Sequence, residues 1–363
     1  MQLLRLRSFL SYLCWSELMR ILYGVQATGN GHITRARVMA PALEKEGVEV
    51  DYLFSGREPE KLFNMEPFGE YQCRRGLTFY MQGSKVDHWK TFTKNNAFQL
   101  LKDIKSLDLA GYDLVVTDFE PVTAWAAKLK GLKSVGIAHQ YAFLHDLPDR
   151  KSGPLLKTQV KSFAPADIPI GLHWDRFDQG ICPPLIQKPL FSPSLTENKV
   201  VVYLPHDDLE VMVPIFKQCN QAHFFIYSSV DQPLDQGNCH IRPFSRMGFQ
   251  QDLSDCEGVI CNSGFGLLSE ALQYGKKIMT LPQKGQAEQE SNAEVLEILD
   301  LGRVVSVLDC QKIGAWLESS QPEAFFIPDV ATPLAKWIKA GCNESIESLI
   351  EETWLAQTDY VTA

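Results

Sequence analysis

Two stretches of this 363-residue chain combine glycines with groups able to bind or move charge. In the first, Gly29-Asn30-Gly31-His32 follows the strand-like run Arg20 to Gly24 and opens a helical pattern that reaches Gly47. A histidine on such a loop suits general-base work, because imidazole ionises near neutral pH; a hydrogen bond at a helix start is the plainer role. In the second, Asn262-Ser263-Gly264-Phe265-Gly266 follows another strand-like run and opens a helix carrying Ser269-Glu270-Ala271. Glycines there let a phosphate approach free backbone N–H groups, and the positive end of the helix dipole favours its charge. The place fits a diphosphate, with Glu270 near enough to accept hydrogen bonds from ribose hydroxyls. A tight turn with a surface glutamate is the alternative.

Further candidates stand at strand ends. Asp118 and Glu120 follow one apolar run, and His139 with Gln140 follows the next. Asp118 is placed to orient His32 or to act as the base itself. Asp118 and Glu120 alternate by two, so in extended chain they point to the same side. Eighteen residues after Glu270, Glu288-Gln289 precedes Asn292-Ala293 at the start of another helix. His206 and Arg242 are candidate contacts on the phosphate side. For a metal the donor pattern is poor: Asp207 and Asp208 are adjacent rather than spaced, and the nine cysteines include no CxxC pair.

These residues need strand ends to hold them. From Met19 onward, short β-branched runs alternate with helical stretches, as in parallel sheets covered by helices. Strands are expected at residues 20–24, 48–54, 113–117 and 134–138, with Pro41 bending the first helix. Proline-rich text between 165 and 197 reads as a linker. A second series follows, with strands expected at 199–204, 223–227, 258–261, 277–281 and 303–307. Apolar residues at helical spacing from Asn343 to Leu355 predict a closing helix with Asn343 as its cap. The expected organisation is an extension over 1–18, with translation starting naturally at Met19, then an acceptor-side domain over 19–170 and a linker over 171–197. A donor-nucleotide domain over 198–335 and a terminal helix and tail over 336–363 complete it. The fold class is α/β, with two Rossmann-like doubly wound domains facing across a cleft, where ligands bind beyond the carboxyl ends of the strands.

Composition narrows the function. With 45% hydrophobic and 22% charged residues the chain has material for two cores, and its net charge of −9 disfavours nucleic acid as a partner. No apolar run approaches the ~18–20 residues of a membrane span. Residues 74–105 run against the overall charge: Arg74, Arg75, Lys85, Lys90, Lys94, Lys102 and Lys105 face only Asp87 and Asp103, interleaved with Phe79, Tyr80, Trp89 and Phe92. A solvated face is the ordinary reading; an anionic acceptor or peripheral contact with an anionic membrane is the functional one.

Taken together, Arg242-Pro243-Phe244, the Asn262 to Gly266 loop with Ser269-Glu270-Ala271, and Glu288-Gln289 before Asn292-Ala293 resemble glycosyltransferases of the two-domain GT-B fold, especially bacterial and archaeal relatives of the UDP-sugar-dependent enzymes. Gly29-Asn30-Gly31-His32 and Asp118-Phe119-Glu120-Pro121 extend the resemblance into the first domain. It implies that Arg242, Ser263, Gly264, Phe265, Gly266, Glu270, Glu288, Gln289 and Asn292 serve a nucleotide-sugar donor. The donor diphosphate would lie on the Gly264 loop, the ribose at Glu270 and the sugar hydroxyls at Glu288 and Gln289. Gly29, Asn30, Gly31, Glu120, His139 and Gln140 would serve the acceptor, with His32 and Asp118 catalytic. Many relatives carry Asp-Gln where this chain has Glu288-Gln289, which leaves the sugar open. The expectation is a cytoplasmic hexosyltransferase moving sugar from a UDP-sugar to an acceptor hydroxyl. It would work with inversion and without cofactor or metal, by closure of the cleft, in cell-envelope polysaccharide synthesis. A sugar-nucleotide epimerase of the same fold and a non-catalytic nucleotide-sugar-binding protein are the alternatives. An NAD-dependent dehydrogenase fits less well, since Thr34 occupies the third glycine position of the dinucleotide fingerprint.

Overall fold

The computed structural model describes residues 18–78, 81–82, 85–86 and 96–361, with side chains described only as far as Leu355 and not in the two short segments. The expected N-terminal extension, apart from Leu18, and Phe79, Tyr80, Asp87, Trp89, Lys90, Phe92 and Lys94 of the basic segment lie outside the described residues. Two seven-stranded sheets form the framework.

In the first sheet the strands are β1 (Arg20–Gln26), β2 (Glu49–Ser55), β3 (Tyr71–Arg74), β6 (Leu114–Asp118), β7 (Ser134–Ala138), β8 (Ile168–Leu172) and β9 (Ile181–Cys182). A short antiparallel pair, β4 (Met81–Gln82) and β5 (Lys85–Val86), stands apart. The order β3-β2-β1-β6-β7-β8-β9 is parallel throughout. Such strands are covered on both faces, which is why β6 and β7 are buried along their whole length. Helices α1 (Asn30–Lys45), α2 (Ala97–Ser106), α3 (Pro121–Lys130) and α4 (Pro154–Phe163) cover them. Pro41 lies inside α1, and Gly47, at φ 67°, turns the chain beyond its end, as only glycine does without strain.

The second sheet contains β10 (Lys199–Tyr203), β11 (His223–Ser228), β12 (Leu234–Gln236), β13 (Cys239–Pro243), β14 (Gly258–Cys261), β15 (Lys277–Thr280) and β16 (Arg303–Val304) in the order β12-β13-β11-β10-β14-β15-β16. Only β12 runs antiparallel, at the edge. Its helices are α5 (Leu209–Gln218), α6 (Arg246–Asp255), α7 (Phe265–Gln273), α8 (Ala287–Ile298) and α9 (Cys310–Leu317), followed by α10 (Ala331–Lys339) and α11 (Ile346–Val361).

Two expectations need correction. The proline-rich stretch is not all linker, because β8 and β9 lie within it. Pro169 occupies the interior of β8, where its lack of an N–H argued against a strand. The closing helix begins at Ile346, and Asn343 turns back to donate to the Ala340 carbonyl, while Ser345 accepts from Ser348 N. The terminal helices also return to the first domain: α10 packs on α1, and Trp354 Nε1 donates to Ile181 O in β9.

One close approach fixes the first domain. A Cβ on Gly24 in β1 would stand 1.9 Å from Thr123 Oγ1, so α3 lies directly against the strand. Gly24→Ala must push α3 outward, and a loss of about 1–3 kcal/mol is expected in denaturant unfolding.

Candidate functional site

Both glycine loops leave central strands at the points where strand order reverses, β1 between β2 and β6 and β14 beside β10. Helix α1 starts from Gly29 and α7 from Gly264, and neither has a side-chain cap. Their first N–H groups are therefore open to a ligand. The two starts lie against each other where the domains meet, since a Cβ on Gly266 would be 3.7 Å from Gly31 Cα, an ordinary contact distance.

His32 lies in the first turn of α1 with 12% of its side chain exposed, while Asp118 at the end of β6 is fully buried. His32 Nδ1 is 2.7 Å from Asp118 Oδ1. A carboxylate only accepts, so with the ring proton on Nδ1 this contact is a hydrogen bond and the Nε2 lone pair is left as the basic site. Arg35, one helical turn on, donates from Nε to Asp118 Oδ2 at 2.9 Å and from Nη2 to Oδ1 at 2.6 Å. Its Nη2 is also 2.7 Å from His32 Nδ1, so both donors converge on one anionic oxygen. Burial opposes ionisation of Asp118, but Arg35 and His32 outweigh it and hold the carboxyl below its ordinary range. Arg35 escaped the sequence reading; its signal was the i, i+3 spacing from His32, which puts both on one helix face.

Glu120 goes elsewhere. Phe119 adopts φ 53°, in the left-handed region, so the chain is not extended between the two carboxylates and their expected common direction is lost. Fully buried, Glu120 accepts from Ser55 Oγ, Val122 N, Thr123 N and Thr123 Oγ1 and caps α3. Burial raises its pKa against the pull of those bonds.

His139 is buried where the domains meet. Its ring stacks on Phe265 at 3.9 Å and 4°, Nδ1 is 2.8 Å from Leu172 O, and Nε2 is 2.7 Å from Asn292 Oδ1. Burial lowers its pKa. Asn292 also donates to Ser263 O, and Ser263 Oγ pairs with Thr280 Oγ1. Trp174 stacks on Phe265 and donates to Ser269 Oγ. His139, Phe265, Ser263 and Asn292 thus form a wall of the cleft by packing. Gln140 Nε2 donates across it to Glu288 Oε2 at 3.0 Å.

Among the donor-side candidates, Glu270 accepts from Gln250 Nε2 at 2.7 Å, and burial raises its pKa. Gln289 is turned back onto Gln283. Arg242 is held by Asp235 at 2.7 Å. His206 follows β10, its pKa lowered by burial. Arg57, unforeseen from sequence, donates to Asn30 Oδ1 and Thr28 O beside the first glycine loop. Burial, then Arg246 and Arg57, lowers Arg37 to about 10, so positive charge gathers on this side. Among the described residues no group of three or more His, Cys, Asp or Glu side chains could hold a metal ion, and no helix is long and apolar enough to cross a membrane.

The sequence pattern of glycosyl transferase family 1 matches residues 19–164 and 174–320, which is most of both domains and includes both glycine loops. The chain belongs to that family. A search of curated proteins finds no match. Solved structures share the fold at low identity. The glycosyltransferase SnogD from Streptomyces nogalater is 16% identical with a TM-score of 0.54, covering 96% of this chain and all of its own. LpCGTa, solved in complex with UDP, is 13% identical with a TM-score of 0.57 over 94% of this chain and 99% of its own. VinC, in complex with dTDP, is 14% identical with a TM-score of 0.51 over 93% and 99%. The family 1 enzyme is a nucleotide-sugar-dependent glycosyltransferase with the GT-B fold.

Its buried carboxylate sets a pH dependence. A carboxyl depressed by folding contributes stability that is present above the unfolded value of about 3.9 and lost as pH falls through the folded one. Asp118→Asn leaves Arg35 buried without a counter-charge, and the expected loss at pH 7 is about 3–5 kcal/mol. Urea unfolding across pH should show that difference shrinking below about pH 4.

Proposed function

We propose that this glycosyltransferase moves a hexose from a UDP-sugar to an acceptor hydroxyl, with inversion at the anomeric carbon. The observation that carries the reading is the meeting of His32, oriented by Asp118, with two uncapped helix starts across one cleft. His32 Nε2 takes the acceptor proton as the oxygen attacks. The nascent bond forms opposite the breaking one, so configuration inverts in a single displacement. The leaving diphosphate takes its stabilisation from backbone N–H groups and the α7 dipole, with Arg57 and Arg37 adding positive charge from the first domain. Glu270 accepts from the ribose. None of these steps calls on a metal, and transfer is expected to persist in chelator.

Closure over the donor excludes water that would hydrolyse it. The fused wall at His139 and Phe265 makes that closure a movement about one side of the cleft rather than a separation of the domains. The expected site of action is the cytoplasm, on an acceptor of the cell envelope.

Two measurements test this reading. UDP at a hundred times its Kd should stabilise the protein by about 2.7 kcal/mol in thermal unfolding, and Glu270→Ala should remove the shift; a response to NAD alone would overturn it. His32→Ala should keep the UDP response while lowering turnover by about 10²–10⁴ in a UDP-release assay with an accepting substrate. Full activity in that variant would remove His32 from the mechanism.

A further inference from the structure

We propose that Arg35 is a positioning residue that governs the proton state of His32: it takes the charge of Asp118 for itself, so the imidazole is left neutral and able to accept a proton. The proposal rests on the reading of His32 as the base and deepens it. A buried carboxylate whose only cation is a histidine holds that histidine as imidazolium, and the lone pair a base needs is then occupied. Asp118 is placed differently. It has no exposed surface and is met by a fork, Arg35 Nε donating to Oδ2 at 2.9 Å and Nη2 to Oδ1 at 2.6 Å. Such a two-pronged bond is the strong form of the pair and leaves the couple without net charge.

Arg35 also acts on the ring directly. Its Nη2 stands 2.7 Å from His32 Nδ1, which in turn stands 2.7 Å from Asp118 Oδ1, so the three atoms form a triangle. An imidazolium there would set its charge against a guanidinium at contact distance. Attraction from Asp118 and repulsion from Arg35 thus oppose each other at the ring. The side chain of Arg35 is only 6% exposed, so salt does little to weaken either effect.

Other titratable groups face the trio from the neighbouring elements. Tyr23 in β1 and Tyr141, just after β7, are pushed up by burial and stay neutral, and burial lowers His139 beside them. Glu288 at the start of α8 supplies the remaining charge, and it acts on Arg35. The couple of Arg35 and Asp118 therefore dominates what His32 feels. An arginine that served only to clamp α1 onto β6 would leave the titration of His32 untouched.

The test follows the ring Cε1–H signal of His32 by NMR against pH, assigned by its loss in His32→Ala. It compares wild type, Arg35→Met, Arg35→Lys and the double variant Arg35→Met/Asp118→Asn, with a cooperative urea transition reporting an intact fold in each. In Arg35→Met the unshared carboxylate should raise the His32 midpoint by ~1–3 pH units, and the acid limb of kcat/KM should move with it. Arg35→Lys, which restores the charge, should reverse at least half of that rise. The double variant buries no lone charge, and its midpoint should lie within ~0.5 of a pH unit of wild type. A folded Arg35→Met with an unmoved midpoint would overturn the proposal. If that variant does not fold, the double variant decides. A midpoint level with wild type supports the proposal; one more than ~1 pH unit lower, the result of losing Asp118 with no part played by Arg35, overturns it. The titration reads Arg35 whether or not His32 is the base, and turnover of His32→Ala tests that role separately.

Discussion

A carboxylate with no exposed surface cannot stay ionised unless positive groups meet it, and Asp118 is such a carboxylate. Much of the first domain is arranged to satisfy it. Arg35 must reach it from α1, which fixes that helix in rotation and in distance from β6. Once α1 is so placed, His32 falls on the same oxygen with its ring edge still open to the cleft. The glycine loop ahead of the helix is then held where its free N–H groups face the second domain.

The domains are joined by a wall as well as by a linker. His139 carries one ring nitrogen to its own domain at Leu172 O and the other to Asn292 of the second, while its face lies on Phe265. The hydrophobic core runs without a break through Phe265 from one sheet towards the other, and α10 and α11 cross back over the first domain. An interface packed this closely behaves as a core, so the acceptor and donor loops keep their relation while the open side of the cleft moves.

Local pattern carried the two sheets into view. Runs such as Leu114 to Thr117 and Val200 to Val202 are buried on both faces and admit few readings, and the two glycine loops announce themselves by composition. Pattern failed where one residue broke it. Pro169 concealed β8, and the left-handed turn at Phe119 separated two carboxylates that alternation had put together. Arg35 was hidden for another reason: a lone arginine on a helix reads as solvated until the strand it meets, 83 residues away, is known.

What the sequence determined by itself is the fold class, the family pattern, and the loops on which the chemistry must sit, because hydrophobic period and glycine placement are local properties. Tertiary structure decided which side chains meet: Asp118 with His32 and Arg35, Glu120 with the start of α3, Gln140 with Glu288 across the cleft. These choices rest on hydrogen-bond geometry at about 3 Å between groups far apart in the chain. No spacing rule along the sequence contains that distance.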